Sequence, residues 1–236
     1  MLPAPLALLV TLAVAVAWMR LNQALAARGW TASWVSRKLI HTGTGPLYVL
    51  TWLLYPSDAA VRAWAVWVPL ALTLNIAAVG LGLRHDPEMV QSMARRGHPR
   101  ELLRGPLLYG LVFVALTVLF GRTSSRAVAA LMMLCGGDGL AELAGRAWGR
   151  RKLPWSRGKS WVGSAAFFVG GAALTLLVSA VYTRAGLWPG PWRAYWAPAL
   201  GVAAAATLAE SLPWPEIDNL VVPLTAYGVG LLLPWP

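Results

Sequence analysis

CGGDGLAELAGRAWGRRKLPWSRGKSW, residues 135–161, sets two carboxylates, Asp138 and Glu142, in an apolar run of small residues. It then empties into the densest basic loop of the chain, with Arg150, Arg151, Lys152, Arg157 and Lys159. An acid inside a membrane helix costs about 2.5–3.5 kcal/mol on insertion scales, so by default it marks a functional site. Residues four apart share a helical face, which points Asp138 and Glu142 the same way. Gly137, Ala141 and Gly145 form a neighbouring small-residue stripe that lets a second helix or a ligand come close. Two like charges on one face repel, and a divalent cation is the simplest stabiliser of such a pair. The plainer alternative is a salt bridge within the helix, Glu142 to Arg146, which leaves Asp138 still in need of a partner.

The rest of the chain identifies this run as a membrane segment. Of 236 residues, 58% are hydrophobic and only 12% charged, and the mean hydropathy is +0.58. Soluble domains of this size do not have that composition, whereas polytopic membrane proteins do. The net charge of +11 invites a nucleic-acid reading. The basic residues, however, sit in short loops between apolar segments, which favours membrane topology and anionic ligands. A single cysteine, Cys135, excludes an internal disulfide and any multi-cysteine metal site. Many of the 14 tryptophans, among them Trp30, Trp34, Trp161, Trp188, Trp214 and Trp235, fall at segment ends, as interfacial belts require.

Eight apolar spans approach the ~20 residues needed to cross a bilayer: 4–20, 38–55, 61–83, 106–121, 124–146, 160–182, 194–212 and 219–235. The expected fold is therefore an all-α polytopic integral membrane protein with about eight transmembrane helices. The number falls to seven if 124–146, broken by glycines and acids, is bent or only half inserted. The first span lacks the basic leader of a signal peptide and is read as a retained helix. Lys and Arg alternate sharply between loops: four, five and six in one set, against one, two and two in the other. This bias places the first set in the cytoplasm and both termini outside. Four polar clusters far apart in sequence then converge on the cytoplasmic face. The longest polar segment, 84–105, suits a short interfacial helix with turns, so residues 1–236 read as one domain.

Three further stretches complete that face. In SRKLIHTGTG, residues 36–45, Arg37, Lys38 and His41 share a helical face. A guanidinium fork beside an ammonium suits a polyphosphate, although a basic membrane anchor reads equally well. In RELLRGPLLYG, residues 100–110, Glu101 is placed to pair with Arg104, and Pro106 opens a helix. ESLPWPEIDNLVVPL, residues 210–224, sets Glu210, Glu216 and Asp218 on the basic face, either to pair with it or to start the last helix. Two nucleotide motifs fail. Glu142 stands where GxGxxG needs its third glycine, and Leu153 stands where a P-loop ending in RGKS needs its first.

In this order, RKLIHTGTG, ELLRGPLLYG, LCGGDGLAELAGRAWGRRKLPWSRGKSWVGS and ESLPWPEIDNLVVPL resemble the polyprenol (dolichol) kinase family, most closely its phytol and farnesol kinase branch. The resemblance spans residues 37–224, and the third block is the most specific. It implies a membrane kinase that phosphorylates a prenyl alcohol such as phytol, farnesol or geranylgeraniol, with CTP as donor and Mg²⁺ as cofactor. The implied catalytic residues are Asp138, His41 and Lys159. Arg37, Lys38, Arg146, Lys152, Lys159 and Ser160 would bind phosphates, and Asp138, Glu142 and Asp218 would hold the metal. The absence of a long leader makes a bacterial inner membrane the expected location. The expected partners are a lipid alcohol, a nucleoside triphosphate and membrane lipids, without nucleic acid. A phosphatidate cytidylyltransferase or a CTP-dependent diacylglycerol kinase is the nearest rival. A transporter is the remote one, because it would carry mid-membrane charges and repeated halves.

Overall fold

The computed structural model describes residues 1–94, 96–214 and 217–236, without the side chains of Ser33 and Arg157. Glu216, singled out above, therefore lies outside the described residues, as do Arg95 and the side chain of Arg157.

The protein is an all-α membrane protein whose helices fall where the apolar spans lie. In chain order they are α1 (Ala4–Ala27), α2 (Ser33–Thr51), α3 (Asp58–Gly80) and the short α4 (Pro87–Met93). Next come α5 (Gly105–Phe120), α6 (Ser125–Trp148) and a hairpin of β1 (Lys152–Leu153) and β2 (Ser156–Ser160). The chain closes with α7 (Trp161–Arg184), α8 (Trp196–Ser211) and α9 (Asp218–Leu232). Among the described residues, five helices are long and apolar enough to cross a membrane: α1, α3, α6, α7 and the stretch Pro99–Phe120 that contains α5.

Boundaries move for local reasons. α1 runs past residue 20 because Asn22, buried at its polar end, donates to the Trp18 carbonyl and accepts through its own carbonyl from Ser36 Oγ. Gly29, at φ +73°, then ends it in the left-handed conformation that glycine adopts without strain. α3 starts early because Ser57 caps it and Asp58 pairs with Arg62 at 2.6 Å. The 84–105 segment forms α4 and a short 3₁₀ turn, as its polarity suggests.

α6 is the central helix. Every residue from Ala127 to Cys135 is buried, and the helix widens into a π turn over Met133–Gly137. The 124–146 span is thus one continuous helix with an irregular turn. Glycines bring α6 against α7: a Cβ on Gly136 would stand 2.6 Å from the Gly170 carbonyl oxygen, and one on Gly137 would stand 2.7 Å from the Phe167 ring. Such small-residue contacts let helices pack backbone to backbone where lipid gives no hydrophobic drive.

The basic loop after α6 is an antiparallel hairpin, not irregular chain. Lys152 pairs with Ser160 and Leu153 with Ser156 across a bulge. At the opposite end of the bundle, Arg62 donates to the carbonyls of Leu119 and Phe120, closing the last turn of α5.

Candidate active site

The start of α2 and the polar half of α6 lie side by side, and their charges interlock. Lys38, 8% exposed, places Nζ 2.8 Å from Asp138 Oδ2 and 2.7 Å from Glu142 Oε2. Glu142 Oε1 also accepts from Arg37 at 3.3 Å and Arg146 at 2.8 Å. Arg146 in turn lies over the Trp34 ring, 5.2 Å from its centre. His41 Nε2 sits 3.3 Å from Asp138 Oδ2 but is not aligned for a hydrogen bond, and among the described residues it has no other partner. The helices approach this closely because residue 139 is glycine: a Cβ there would run into the Thr42 side chain. The repulsion between the acids is thus relieved by an ammonium about 100 positions earlier in the chain, and the Glu142–Arg146 bridge is present as well.

The other two polar stretches reach the same place. Asn219, at the start of α9, donates to the Gly105 carbonyl at 2.8 Å. Tyr109 of α5 donates to the His41 carbonyl at 3.2 Å, with its ring 4.3 Å from the imidazole. Glu101 closes the 3₁₀ turn by accepting from the backbone of Arg96 and His98. Lys159, on β2, pairs with buried Glu210 and stands 4.0 Å from Asp218. Trp155 donates to Ser211 at 3.2 Å. These contacts pin the hairpin to the ends of α8 and α9.

Arg37, Lys38, His41, Asp138, Glu142 and Asp218 all line one cavity of about 560 Å³, together with apolar side chains of α1, α2, α3 and α5. Four other residues expected at the site sit outside that wall. Lys159 meets it through Asp218. Arg146 reaches it through Glu142 while half exposed to solvent. Ser160 is buried, and its Oγ accepts from the Gly163 amide to cap α7. Lys152 is exposed on β1. Sequence alone does not single out Tyr109 and Thr42, and it gives Asn219 only as a candidate start of the last helix; all three lie within the quoted stretches ELLRGPLLYG, RKLIHTGTG and ESLPWPEIDNLVVPL.

The donor set fits a hard divalent cation. Asp138, Glu142 and Asp218 line the cavity, with Glu101 also on its wall, and Mg²⁺ takes one or two carboxylates, completing its shell from phosphate oxygens and water. Among the described residues no three of His, Cys, Asp and Glu gather at one point, and Asp218 is set against Lys159. Lys38 already occupies the space between Asp138 and Glu142.

Comparison with known proteins decides the family. Over 232 residues the chain is 38% identical to a wheat (Triticum aestivum) protein named a probable chloroplastic phytol kinase, covering 96% of this chain and 76% of that one. The chain belongs to the phytol kinase family. A rice (Oryza sativa subsp. japonica) protein named probable phytol kinase 1 is 36% identical over 96% of this chain and 72% of its own length. Phytol kinase 1 of Arabidopsis thaliana is 35% identical over 80% of this chain and 63% of its own length. Family members are phosphotransferases with an alcohol as acceptor. These relatives are chloroplastic plant proteins, which gives no support to the bacterial inner-membrane expectation. No family model matches the chain, and no solved structure matches it.

Proposed function

We propose that residues 1–236 act as one membrane-embedded domain that transfers a phosphoryl group from a nucleoside triphosphate to the hydroxyl of a prenyl alcohol such as phytol, farnesol or geranylgeraniol. The observation that carries this reading is the position of the acid–base cluster of α2 and α6: it lines the charged end of a cavity whose remaining wall is mostly apolar. A lipid alcohol needs that pairing of an apolar chamber with a charged end. The choice of CTP follows the family resemblance alone, since the basic groups read phosphates and not bases. The loop-charge bias supports a cytoplasmic position for the site.

Phosphoryl transfer is largely a matter of positioning and charge neutralisation. Asp138 and Glu142 would hold Mg²⁺, with Asp218 nearby; bound there, the ion would neutralise donor phosphates. Arg37 and Lys38 present a fork and a point charge to the transferred group. Lys159, Arg146, Lys152 and Ser160 border the same face and would guide the remaining phosphates. The His41 imidazole, held against Tyr109 and 3.3 Å from Asp138, keeps Nε2 without a hydrogen-bond partner among the described residues and is placed to accept the hydroxyl proton.

The test is transfer of γ-label from CTP, ATP or UTP to farnesol, geranylgeraniol, phytol and diacylglycerol in liposomes. A labelled prenyl monophosphate, lost in Asp138→Asn with expression intact, is the expected result. Label only in phosphatidate made from diacylglycerol, or, with phosphatidate added as acceptor, release of the label from CTP as pyrophosphate with an unlabelled CDP-lipid, would transfer the protein to the rival readings. A fully active Asp138→Asn enzyme would remove the metal assignment.

A further inference from the structure

The cavity has a direction. Along α2 its lining runs from Arg37 to Tyr48, a rise of about 16 Å at 1.5 Å per residue. That is about one leaflet of a ~30 Å hydrocarbon core. α5 runs beside it from Arg104 at the charged end to Phe113. Tyr48 and Phe113 are each 4% exposed, and the Tyr48 hydroxyl is tied to Thr117 at 3.1 Å, so this end is a closed, fixed floor.

The opposite wall is built differently. α1 contributes Leu12, Val16, Met19 and Gln23, spaced as one helical face, and α3 contributes Val68, Leu72 and Asn75, spaced the same way. Both faces are polar at the charged end, with Gln23 and Asn75, and apolar beyond it. Side chains on both also remain accessible: Leu12, Val16 and Leu72 are 47%, 40% and 41% exposed while lining the cavity. Where two helices share a cavity wall whose apolar side chains stay accessible, the wall between them is the natural place for an opening, a slot that in a bilayer would face acyl chains.

We propose that the α1–α3 slot is the lateral portal and tail channel for the lipid alcohol. The alcohol's hydroxyl meets Asp138, Lys38 and His41 at one end, and its tail lies along Val16 and Leu72 toward the Tyr48–Phe113 floor. The occupant follows from continuity with the charged cluster and from the polar-to-apolar gradient shared by all four walls. This inference rests on the prenyl alcohol reading above and extends it to the residues that select the tail.

The experiment fills the slot. Leu72→Trp adds bulk at a half-exposed position and leaves the buried core untouched. Leu74→Trp, on the same helix, 61% exposed and outside the cavity wall, is the control. In liposomes, Leu72→Trp is expected to lower kcat/KM for phytol at least about tenfold, a change of about 1.4 kcal/mol. It should leave the short alcohol geraniol within about twofold, and Leu74→Trp should match wild type for both. Equal losses for phytol and geraniol, or equal effects of the two variants, would overturn the proposal. A photoactivatable phytol analogue supplies a readout that needs no turnover: it should label the 12–19 and 68–72 peptides in wild type and lose that labelling in Leu72→Trp. Labelling confined to other helices refutes the portal even if transfer proceeds. Labelling at the slot without phosphoryl transfer to any alcohol keeps the portal and refutes the kinase reading instead.

Discussion

Replacing Lys38 by methionine tests the centre of the site. Chain length is nearly preserved, and the charge that stands 2.8 Å from Asp138 and 2.7 Å from Glu142 is lost. Removing one partner of a buried ion pair costs about 3–5 kcal/mol, because the other charge is left uncompensated. The lower end applies here, since Asp138 keeps His41 at 3.3 Å and Glu142 keeps Arg146 at 2.8 Å and Arg37 at 3.3 Å. For a chain of this size each kcal/mol moves Tm by about 2–4 °C, so Lys38→Met should melt about 6–12 °C below wild type. The assay is thermal unfolding of detergent-purified protein by tryptophan emission, with Asp138→Asn and the double variant run beside it. Neutralising Asp138 removes the repulsion that Lys38→Met exposes. The double variant should therefore melt above Lys38→Met, and the two single shifts should not add. Strictly additive shifts, or a Lys38→Met protein that melts with wild type, would refute the bridging role of the ammonium.

Gly139→Ala should drive a methyl group into Thr42 and part α2 from α6. Overpacking of this kind costs about 1–3 kcal/mol, and the displaced cluster should lose on the order of 10²-fold in kcat; melting and steady-state rates check both. Lys159→Met should strand Glu210, which is 4% exposed, at a cost of about 3 kcal/mol. The hairpin would then become sensitive to limited proteolysis, whereas Lys159→Met with Glu210→Gln should regain the lost Tm. Chelation of divalent cations should abolish transfer without unfolding the protein, and added Mg²⁺ should restore it, as a labelled-donor assay before and after EDTA will show.

The helix positions were legible because long apolar runs punctuated by basic loops leave few alternatives. Convergence of the polar stretches was legible from loop parity alone: residues 37–41, 101–105, 138–142 and 210–218 all close on the same end of the bundle. What sequence could not supply was partners. The i,i+4 spacing put Asp138 and Glu142 on one face, but nothing local names Lys38 as the group between them. From sequence a divalent cation was the simplest stabiliser of the pair; the packing of α2 on α6 adds Lys38 as a second one. The Lys159–Glu210 pair was hidden for the same reason. The hairpin at 152–160 was read as a basic loop because its Lys, Arg, Trp and Ser residues show no apolar alternation, so its short ladder depends on contacts to Glu210 and Ser211. The π turn at Met133–Gly137 coincides with the close approach of Gly136 and Gly170, which only the assembled pair reveals.

The same interface does two jobs that pull in different directions. For folding, Asp138 and Glu142 must be neutralised, because each unpaired acid inside an apolar helix costs about 2.5–3.5 kcal/mol. For phosphoryl transfer, the site must keep charge in hand. The cluster meets both needs by imbalance: two acids, Asp138 and Glu142, face three cations, Lys38, Arg37 and Arg146. The buried cation, Lys38, bridges the acids. The surplus sits on the arginines, whose side chains are 25% and 52% exposed, on the side from which a soluble anion would approach. A site with equal numbers of acids and bases would fold as well and attract phosphate less. One without Lys38 would keep its two acids side by side without repulsion only while another cation was bound. The position of each charge along the path from solvent to apolar cavity is therefore the feature that joins membrane stability to the proposed chemistry.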